Sequence, residues 1–507
     1  MSLTSLEKEE RKIGKKLYGY QQGAIEKIFD CIENYPSNYN LLYQLPTGGG
    51  KTVIFSEIAR KYIATTGKKV LILTHRIELS KQTSHMLDEF GVPNKIIDSN
   101  VKEVRNDSNY HCFVAMVETL NNRLKEGKVK INDIGMVIVD EAHYNSFRKL
   151  FKYFEFCFIL GVTATPLSSN INLPMHEIYK DLIVGENISS LIEKGFLAEA
   201  ATFNFNVSLT SLKIGINGDY TVKSSEELYI QTTMQQKLLK AYELEGKGTK
   251  TLIFNNGIMT SRFVYETFLA AGYKVKYIDN TNTKEERRSI LKWFKETPDA
   301  VLTSVSILTT GFDEPTIETI IINRATRSLA LYFQMIGRGS RVIAKKDKFK
   351  ILDLGNNVAR FGLWTDPIDW NYIFKNPNIF LESLRSDDEI EKKFTYQLPD
   401  EIKKKFSKTE DLDFDIKMAY QEALDKGKKS KLALEKSVKQ HAQMCVENSE
   451  SIIDAYMLSN LLKEDIAYRI KQYSYCIMKS SANYLKWLEE DYHRLLKLKI
   501  SKQFNNR

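Results

Sequence analysis

One run constrains this chain more than any other: Leu41-Leu42-Tyr43-Gln44-Leu45-Pro46-Thr47-Gly48-Gly49-Gly50-Lys51-Thr52. A short apolar strand passes into a glycine-rich turn and then into a helix start. That arrangement aims backbone N–H groups and a helix N-terminus at phosphate oxygens. Lys51 is placed to meet β- and γ-phosphates and the Thr52 hydroxyl to bind Mg²⁺, with Thr47, Gly48, Gly49 and Gly50 as the cradle. The longer glycine-loop pattern needs Gly where this chain has Leu45, so the match is to the shorter P-T-G-x-G-K-T form.

The loop sits in the first of two stretches where short apolar strands alternate with helical segments, the rhythm of a parallel sheet. Tyr18 to Leu191 offers strands at Asn40–Gln44, Val70–Thr74, Cys112–Met116, Met136–Asp140 and Phe158–Thr163, with helices at Thr52–Tyr62 and Arg76–Phe90. Lys237 to Asp353 repeats the rhythm. Its strands are Thr251–Phe254, Lys274–Ile278, Ala300–Thr303, Thr319–Ile322 and Lys350–Leu352; its helices are Met259–Ala271, Lys284–Lys295 and Ala330–Gly337. Phe203–Tyr229, with Gly215 and Gly218, reads as a linker, and Ser451–Ile500 has helical apolar spacing. The expected fold is α/β: two tandem parallel-sheet lobes plus a mainly helical C-terminal domain. The expected boundaries are 1–200, a linker 201–236, 237–370 and 371–507.

Two further sites supply chemistry. Met136–Val139 leads into Asp140-Glu141-Ala142-His143. A buried strand ending in adjacent carboxylates sets one, Asp140, at a metal's water shell and the other, Glu141, at an attacking water. The second lobe offers Gln334-Met335-Ile336-Gly337-Arg338-Gly339-Ser340-Arg341. Arginines near a γ-phosphate stabilise developing charge, and Arg338 and Arg341 share a face if the segment is helical. Standing alone, they would read first as solvated surface arginines.

Composition limits the alternatives. Hydrophobic residues are 43% and charged residues 27%, a globular balance. The longest apolar runs are strand-length, and the N-terminal MSLTSLEKEER turns charged at Glu7, so neither a membrane span nor a signal peptide is expected and cytoplasmic residence is the default. The five cysteines include no CxxC pair, which argues against a disulfide framework or a thiolate zinc site. A net charge of +9 suits a polyanionic partner without requiring one.

The ordered set of these residues resembles the superfamily 2 helicases, and more narrowly their RadD-like branch. Tyr20-Gln21 looks like the adenine-reading glutamine motif. Pro46–Thr52 looks like motif I, Thr74-His75-Arg76 with Glu78-Leu79 and Gln82 like motif Ia, and Thr119-Leu120 like motif Ib. Asp140–His143 resembles motif II, Thr163-Ala164-Thr165-Pro166 motif III and Leu252–Asn255 motif IV. Ser304–Pro315, with Thr309-Thr310-Gly311-Phe312-Asp313, resembles motif V and Gln334–Arg341 motif VI. The narrower match rests on Leu191–Leu197, Gly218-Asp219-Tyr220 and Asp353–Gly362. Tyr18 stands where the family often has arginine, and the clustered C-terminal cysteines of some RadD-like proteins are missing.

The resemblance implies two RecA-like lobes closing on ATP and Mg²⁺, with Thr163 and Thr165 coupling the nucleotide to nucleic-acid grip. It implies catalytic roles for Lys51, Asp140, Glu141, Gln334, Arg338 and Arg341, and nucleotide contacts from Gln21, Thr47–Thr52, Gly311 and Asp313. It also implies nucleic-acid contacts from Thr74, Arg76, Thr119, Asn255 and Thr309. The expected activity is an ATP-dependent DNA helicase or translocase, with DNA ahead of RNA as the partner and protein partners in repair or defence. An RNA helicase, or the non-unwinding motor subunit of a restriction or defence assembly, stays open. The basic run Arg494, Lys497, Lys499, Lys502 and Arg507 reads either as an extension of the nucleic-acid track or as a solvated helix face.

Overall fold

The computed structural model describes residues 17–505 except 102, 105–109, 310, 393–397, 410–411 and 478–481. Thr310 and Arg507 lie outside the described residues. The chain divides into two compact units, Met1–Arg385 and Ser386–Arg507.

The first unit holds two sheets. The first contains β1 (Tyr39–Gln44), β2 (Lys69–Thr74), β3 (Asn94–Ile97), β4 (Cys112–Met116), β5 (Ile134–Asp140), β6 (Phe158–Thr163) and β7 (Asp181–Val184), in the order β3-β4-β2-β5-β6-β1-β7. The second contains β8 (Glu199–Asn204), β9 (Thr251–Asn255), β10 (Val275–Ile278), β11 (Val301–Val305), β12 (Thr319–Asn323) and β13 (Lys348–Asp353), in the order β10-β11-β9-β12-β13-β8. Every pairing in both is parallel.

The near-continuous apolar strands follow from burial on both faces. In the first sheet Leu41, Tyr43, Val70, Ile72, Met136 and Ile138 enter one core, while Leu42, Leu71, Leu73, Val137 and Val139 enter the core on the opposite face. Side chains alternate with period two, so each strand feeds both cores. Parallel strands put their carboxyl ends, and the loops that follow, on one edge of each sheet. That edge is where ligand sites form in such folds.

Three strands escape the sequence pattern, β3, β7 and β8, and all three are sheet edges. The segment 201–236 is accordingly more than a linker. β8 pairs along β13 from Glu199↔Lys348 to Asn204↔Asp353, and a helix, Val222–Tyr229, follows with Thr221 as its N-cap. The sequence Glu-Ala-Ala-Thr-Phe-Asn of β8 has the half-exposed composition of an edge strand and no apolar run to announce it. The helices Trp370–Lys375 and Pro377–Ser383, read as the start of the C-terminal domain, belong to the first unit. Trp370 and Ile373 are buried in the core of the second lobe and Phe374 in a core of the first.

The second unit is helical, with its main elements at Ile416–Asp425, Leu432–Glu447, Ile452–Leu461, Lys463–Ile477 and Ala482–Asn505. Its apolar core encloses a polar knot. His441 Nε2 meets Asp465 Oδ2 at 2.7 Å and its Nδ1 meets the Tyr492 hydroxyl at 2.9 Å, while Arg469 reaches Asp465 at 2.8 Å. Burial pushes the His441 pKa down to about 4, so the ring is neutral at physiological pH. Among the described residues no helix is long and apolar enough to cross a membrane.

Gly161, in the middle of β6, leaves no room for a side chain. A Cβ there would lie 2.6 Å from the buried Tyr179 ring. Replacing Gly161 with valine overpacks that face and should cost about 1–3 kcal/mol. The expected result is a lower urea midpoint for loss of tryptophan fluorescence, with the second unit's transition unmoved.

Candidate nucleotide-binding cleft

The loop after β1 is built on backbone that few side chains tolerate. Gly48 has φ +96° and Gly50 φ +88°. Both are also crowded. A Cβ on Gly50 would sit 2.6 Å from Gln21 Nε2, and one on Gly48 would sit 2.6 Å from Arg341 Nη1. Glycine is required twice at each place, for conformation and for close approach. The Tyr20 hydroxyl donates to the Gly49 carbonyl at 2.7 Å and the Tyr18 N–H donates to Gln21 Oε1 at 3.0 Å, which seats the glutamine over the loop.

Lys51 opens the helix Lys51–Thr66, and its Nζ reaches only the Leu45 carbonyl, at 3.4 Å. Burial lowers its pKa, opposed by Glu141 and Asp140 and assisted by Arg341 and Arg338. The two carboxylates of one lobe and the two arginines of the other thus all act on a single ammonium. The Thr47 hydroxyl is buried without a partner.

At the end of β5, Asp140 Oδ1 accepts the Glu141 N–H at 3.0 Å. Burial and the neighbouring Glu141 raise the Asp140 pKa, while Lys51 lowers it. Glu141 is buried too, but the charges around it, the Lys51 ammonium foremost, outweigh that burial and lower its pKa. Glu141 holds a left-handed backbone, φ +51°, and its Oε2 has no hydrogen-bond partner. Strain of this kind concentrates at functional sites. A carboxylate pair of this sort suits a hard cation that keeps most of its water, with the Thr52 hydroxyl in the first turn of the helix Lys51–Thr66 as a further oxygen donor. The proximity would turn Asp140 into an anionic ligand.

His143 is a junction. Its Nδ1 meets Thr163 Oγ1 at 3.0 Å, and its Nε2 lies 3.4 Å from Gln334 Nε2 of the second lobe. Thr163 Oγ1 in turn donates to the Thr165 carbonyl at 3.0 Å. Burial lowers the His143 pKa, so the neutral ring passes hydrogen bonds and no charge between the lobes.

The two arginines do different work. Arg338 is spent on backbone: Nε and Nη2 donate to the Thr309 carbonyl at 3.1 and 2.7 Å, and Nη1 to that of Phe312 at 2.6 Å. Arg341 Nε pairs with Asp313 at 2.8 Å, leaving Nη1 buried, without a partner, against Gly48. Asp313 therefore orients an arginine rather than facing the loop itself. Sequence reasoning missed Lys346, whose buried ammonium donates to the carbonyls of Gly339, Arg341 and Pro315 at 2.5, 2.8 and 3.1 Å and fixes the arginine's backbone. No motif signals it; only the fold brings a lone lysine to three carbonyls.

The expected nucleic-acid residues divide. Arg76 Nη1 donates across the lobes to the Ile307 carbonyl at 3.0 Å, and Gln82 Nε2 to that of Gly311 at 2.9 Å. Gly311 packs against Glu78 and Leu79 of the first lobe rather than on the glycine loop. Thr119 is half-buried on the helix Val117–Lys125. Thr74, Asn255 and Thr309 are buried. Thr74 bonds Ser80 at 2.6 Å, Asn255 bonds Thr303 at 2.7 Å and accepts from Asn323 at 2.8 Å, and Thr309 donates to the Ser306 carbonyl at 2.7 Å. These side chains pin the loops at strand ends and position the neighbouring backbone.

Residues 14–168 match the family described as type III restriction enzyme, res subunit, and residues 233–342 match the helicase conserved C-terminal domain. Both matched domains are those of the superfamily 2 helicases. The chain is 28% identical over 368 residues to the Saccharomyces cerevisiae protein IRC3, named an ATP-dependent helicase, a match covering 68% of this chain and 52% of that protein. It is 23% identical to the Escherichia coli type I restriction enzyme EcoAI endonuclease subunit, across 69% of this chain and 47% of that one. The chain thus spans about half the length of these relatives. A solved fragment of an HsdR subunit of a type I restriction enzyme from Vibrio vulnificus YJ016 shares the fold, with a TM-score of 0.53 and 22% identity over 66% of this chain and 63% of that one.

The closed approach of the lobes can be tested by cross-linking. A Cβ on Gly337 would lie 2.6 Å from Thr47 Cβ, so a cysteine pair at Thr47 and Gly337 needs only a small outward shift to reach disulfide geometry. Thr47→Cys with Gly337→Cys should form a bond identified by mass spectrometry after mild oxidation. Its absence would show that the lobes do not meet here in solution.

Proposed function

We propose that this helicase hydrolyses ATP in the cleft between its two lobes and uses the cycle to move along or unwind DNA. The observation that carries the reading is Arg341 Nη1, buried without a partner and delivered by the second lobe against the glycine loop of the first. A triphosphate is the anion that would answer both, and hydrolysis would remove the group the two lobes share. In this reading Lys51 and the loop N–H groups hold the phosphates, Glu141 orients and deprotonates water, and Arg341 stabilises the charge that develops. Arg338 holds the loop that carries Asp313. Mg²⁺ would sit at Thr52 and Asp140 and neutralise phosphate charge, and Gln21 would read adenine.

In this reading the motor comprises residues 1–200 and 237–385 joined by 201–236, with β8 added to the second lobe, and 386–507 form the appended helical domain. Within superfamily 2 the RadD-like branch is the finer reading. Asp219 of the Gly218-Asp219-Tyr220 segment supports it, because it accepts from the Arg327 N–H and the Thr326 hydroxyl, both at 2.7 Å.

The track lies in a second cavity of about 580 Å³ that spans both lobes, lined by Arg76 from the first and Asn256, Asn280, Arg287 and Ser306 from the second. Arg287 keeps its Nε without a partner. Cationic and backbone groups of this kind grip a sugar-phosphate chain without reading its bases. The likeness to the EcoAI subunit favours a second reading, a motor working inside a restriction or defence assembly.

Lys51→Ala should lower nucleic-acid-stimulated ATP turnover on the order of a hundredfold or more. Glu141→Gln should bind a fluorescent ATP analogue like the parent while hydrolysing it far more slowly. Undiminished turnover in the first, or lost binding in the second, would overturn these roles. Turnover measured against matched single-stranded, duplex and forked DNA and RNA should be stimulated more by DNA; equal or greater stimulation by RNA would move the assignment to an RNA helicase.

A further inference from the structure

Between β8 and the helix Val222–Tyr229 the chain makes a tight hairpin that the nucleotide cleft does not use. The Thr221 N–H donates to the Lys213 carbonyl at 2.8 Å, Gly215 N–H to the Asp219 carbonyl at 2.8 Å, and Gly218 N–H to the Gly215 carbonyl at 3.0 Å. Ile214 and Tyr220 face each other as an antiparallel bridge. The turn is Gly215-Ile216-Asn217-Gly218, with Gly218 at φ +79°.

Its stem is clamped. Asp219 receives the Arg327 N–H and the Thr326 hydroxyl at the end of β12, and the buried Tyr220 hydroxyl receives Arg360 Nη2 at 2.7 Å. Asn256, directly after β9, donates to the Tyr220 carbonyl at 3.3 Å and to Ser225 at 2.7 Å. The tip is bare. Ile216 is fully exposed, and Ile214 and Val222 are about half exposed, at 54% and 51%. Turn positions favour Gly, Pro, Asn, Asp and Ser, and a β-branched apolar residue there has no local structural reason. A rigid stem beneath an exposed apolar tip is a preorganised contact surface.

The position of the stem names the occupant. Asn256 and Val222 line the cavity assigned above to the nucleic-acid strand. Lys213 and Lys223 are exposed on the same segment, cations beside apolar atoms. A nucleic acid presents both complements, phosphates to the lysines and base faces to the isoleucine.

We infer that the 213–221 hairpin is a strand-separating wedge, with Ile216 packing against the terminal base pair of a duplex as one strand is drawn into the cleft. Apolar wedges unstack base steps by this packing, at a cost of a few kcal/mol per step that the motor must supply. The inference rests on the motor reading above. It adds a division of labour: ATP turnover and strand grip reside in the lobes, strand separation in an exposed side chain on the hairpin whose flank borders the grip.

The experiment pairs two measurements on the full chain, ATP turnover on single-stranded DNA and strand separation of a forked DNA duplex. Ile216→Asp should keep turnover close to the parent value while strand separation falls about tenfold, as expected when an unstacking contact is removed. Ile216→Phe should retain separation. Equal loss of both activities in Ile216→Asp would mean a folding or grip defect and overturn the wedge, as would unchanged separation. A parent protein whose turnover responds to DNA but which separates no strands would overturn the wedge and leave the motor. A parent with no DNA-dependent turnover would overturn the motor reading itself.

Discussion

Everything in the cleft depends on a stretch of backbone without side chains. Gly48 and Gly50 leave the loop open to a guanidinium from one side and a carboxamide from the other, and either gap would close with a single methyl group. Around that opening the charges are unbalanced in an informative way. Burial lowers the Lys51 pKa and raises that of Asp140, so both groups sit in a space too dry for their own charge. A polyanion accompanied by a divalent cation would relieve both. The lobes come together through groups that are individually weak: a neutral histidine, a glutamine and two side chains donating to carbonyls. Such contacts are exchangeable, as expected where closure must be reversible.

The parallel sheets and the catalytic loops were legible from sequence because their signals are local. A strand buried on both faces reads as an apolar run, and a phosphate loop must place glycine, lysine and threonine in fixed order. Of the four edge strands only β10 was legible, since β3, β7 and β8 carry mixed composition that is shared with loops. Side-chain roles at strand ends were only half legible. Asn255 and Thr309 fall in the right places, yet their polar atoms are consumed by neighbours that sequence cannot supply, such as Asn323 and Ser306. Lys346 was invisible for the same reason, since its three carbonyl partners are created by the fold.

The helical unit follows another economy. Its apolar spacing announces helices, but the pairing of His441 with Asp465, and of Arg469 with Asp465 and Gln440, is a three-dimensional fact. A fully paired buried network favours one helix register over neighbours that would leave charge unmatched. The core of that unit is therefore specified as well as filled.

Glu141 leaves a different kind of mark. Its backbone is held at φ +51° by the adjoining strand, with Ala142 N–H bonded to the Val162 carbonyl at 2.9 Å and Tyr144 N–H to the Glu141 carbonyl at 3.1 Å. The residue that best relaxes that conformation is glycine, with asparagine and aspartate next. Chemistry and comfort thus pull in opposite directions at one position. Under the role proposed for Glu141, a residue more at ease in this backbone would cost the motor the group that activates water.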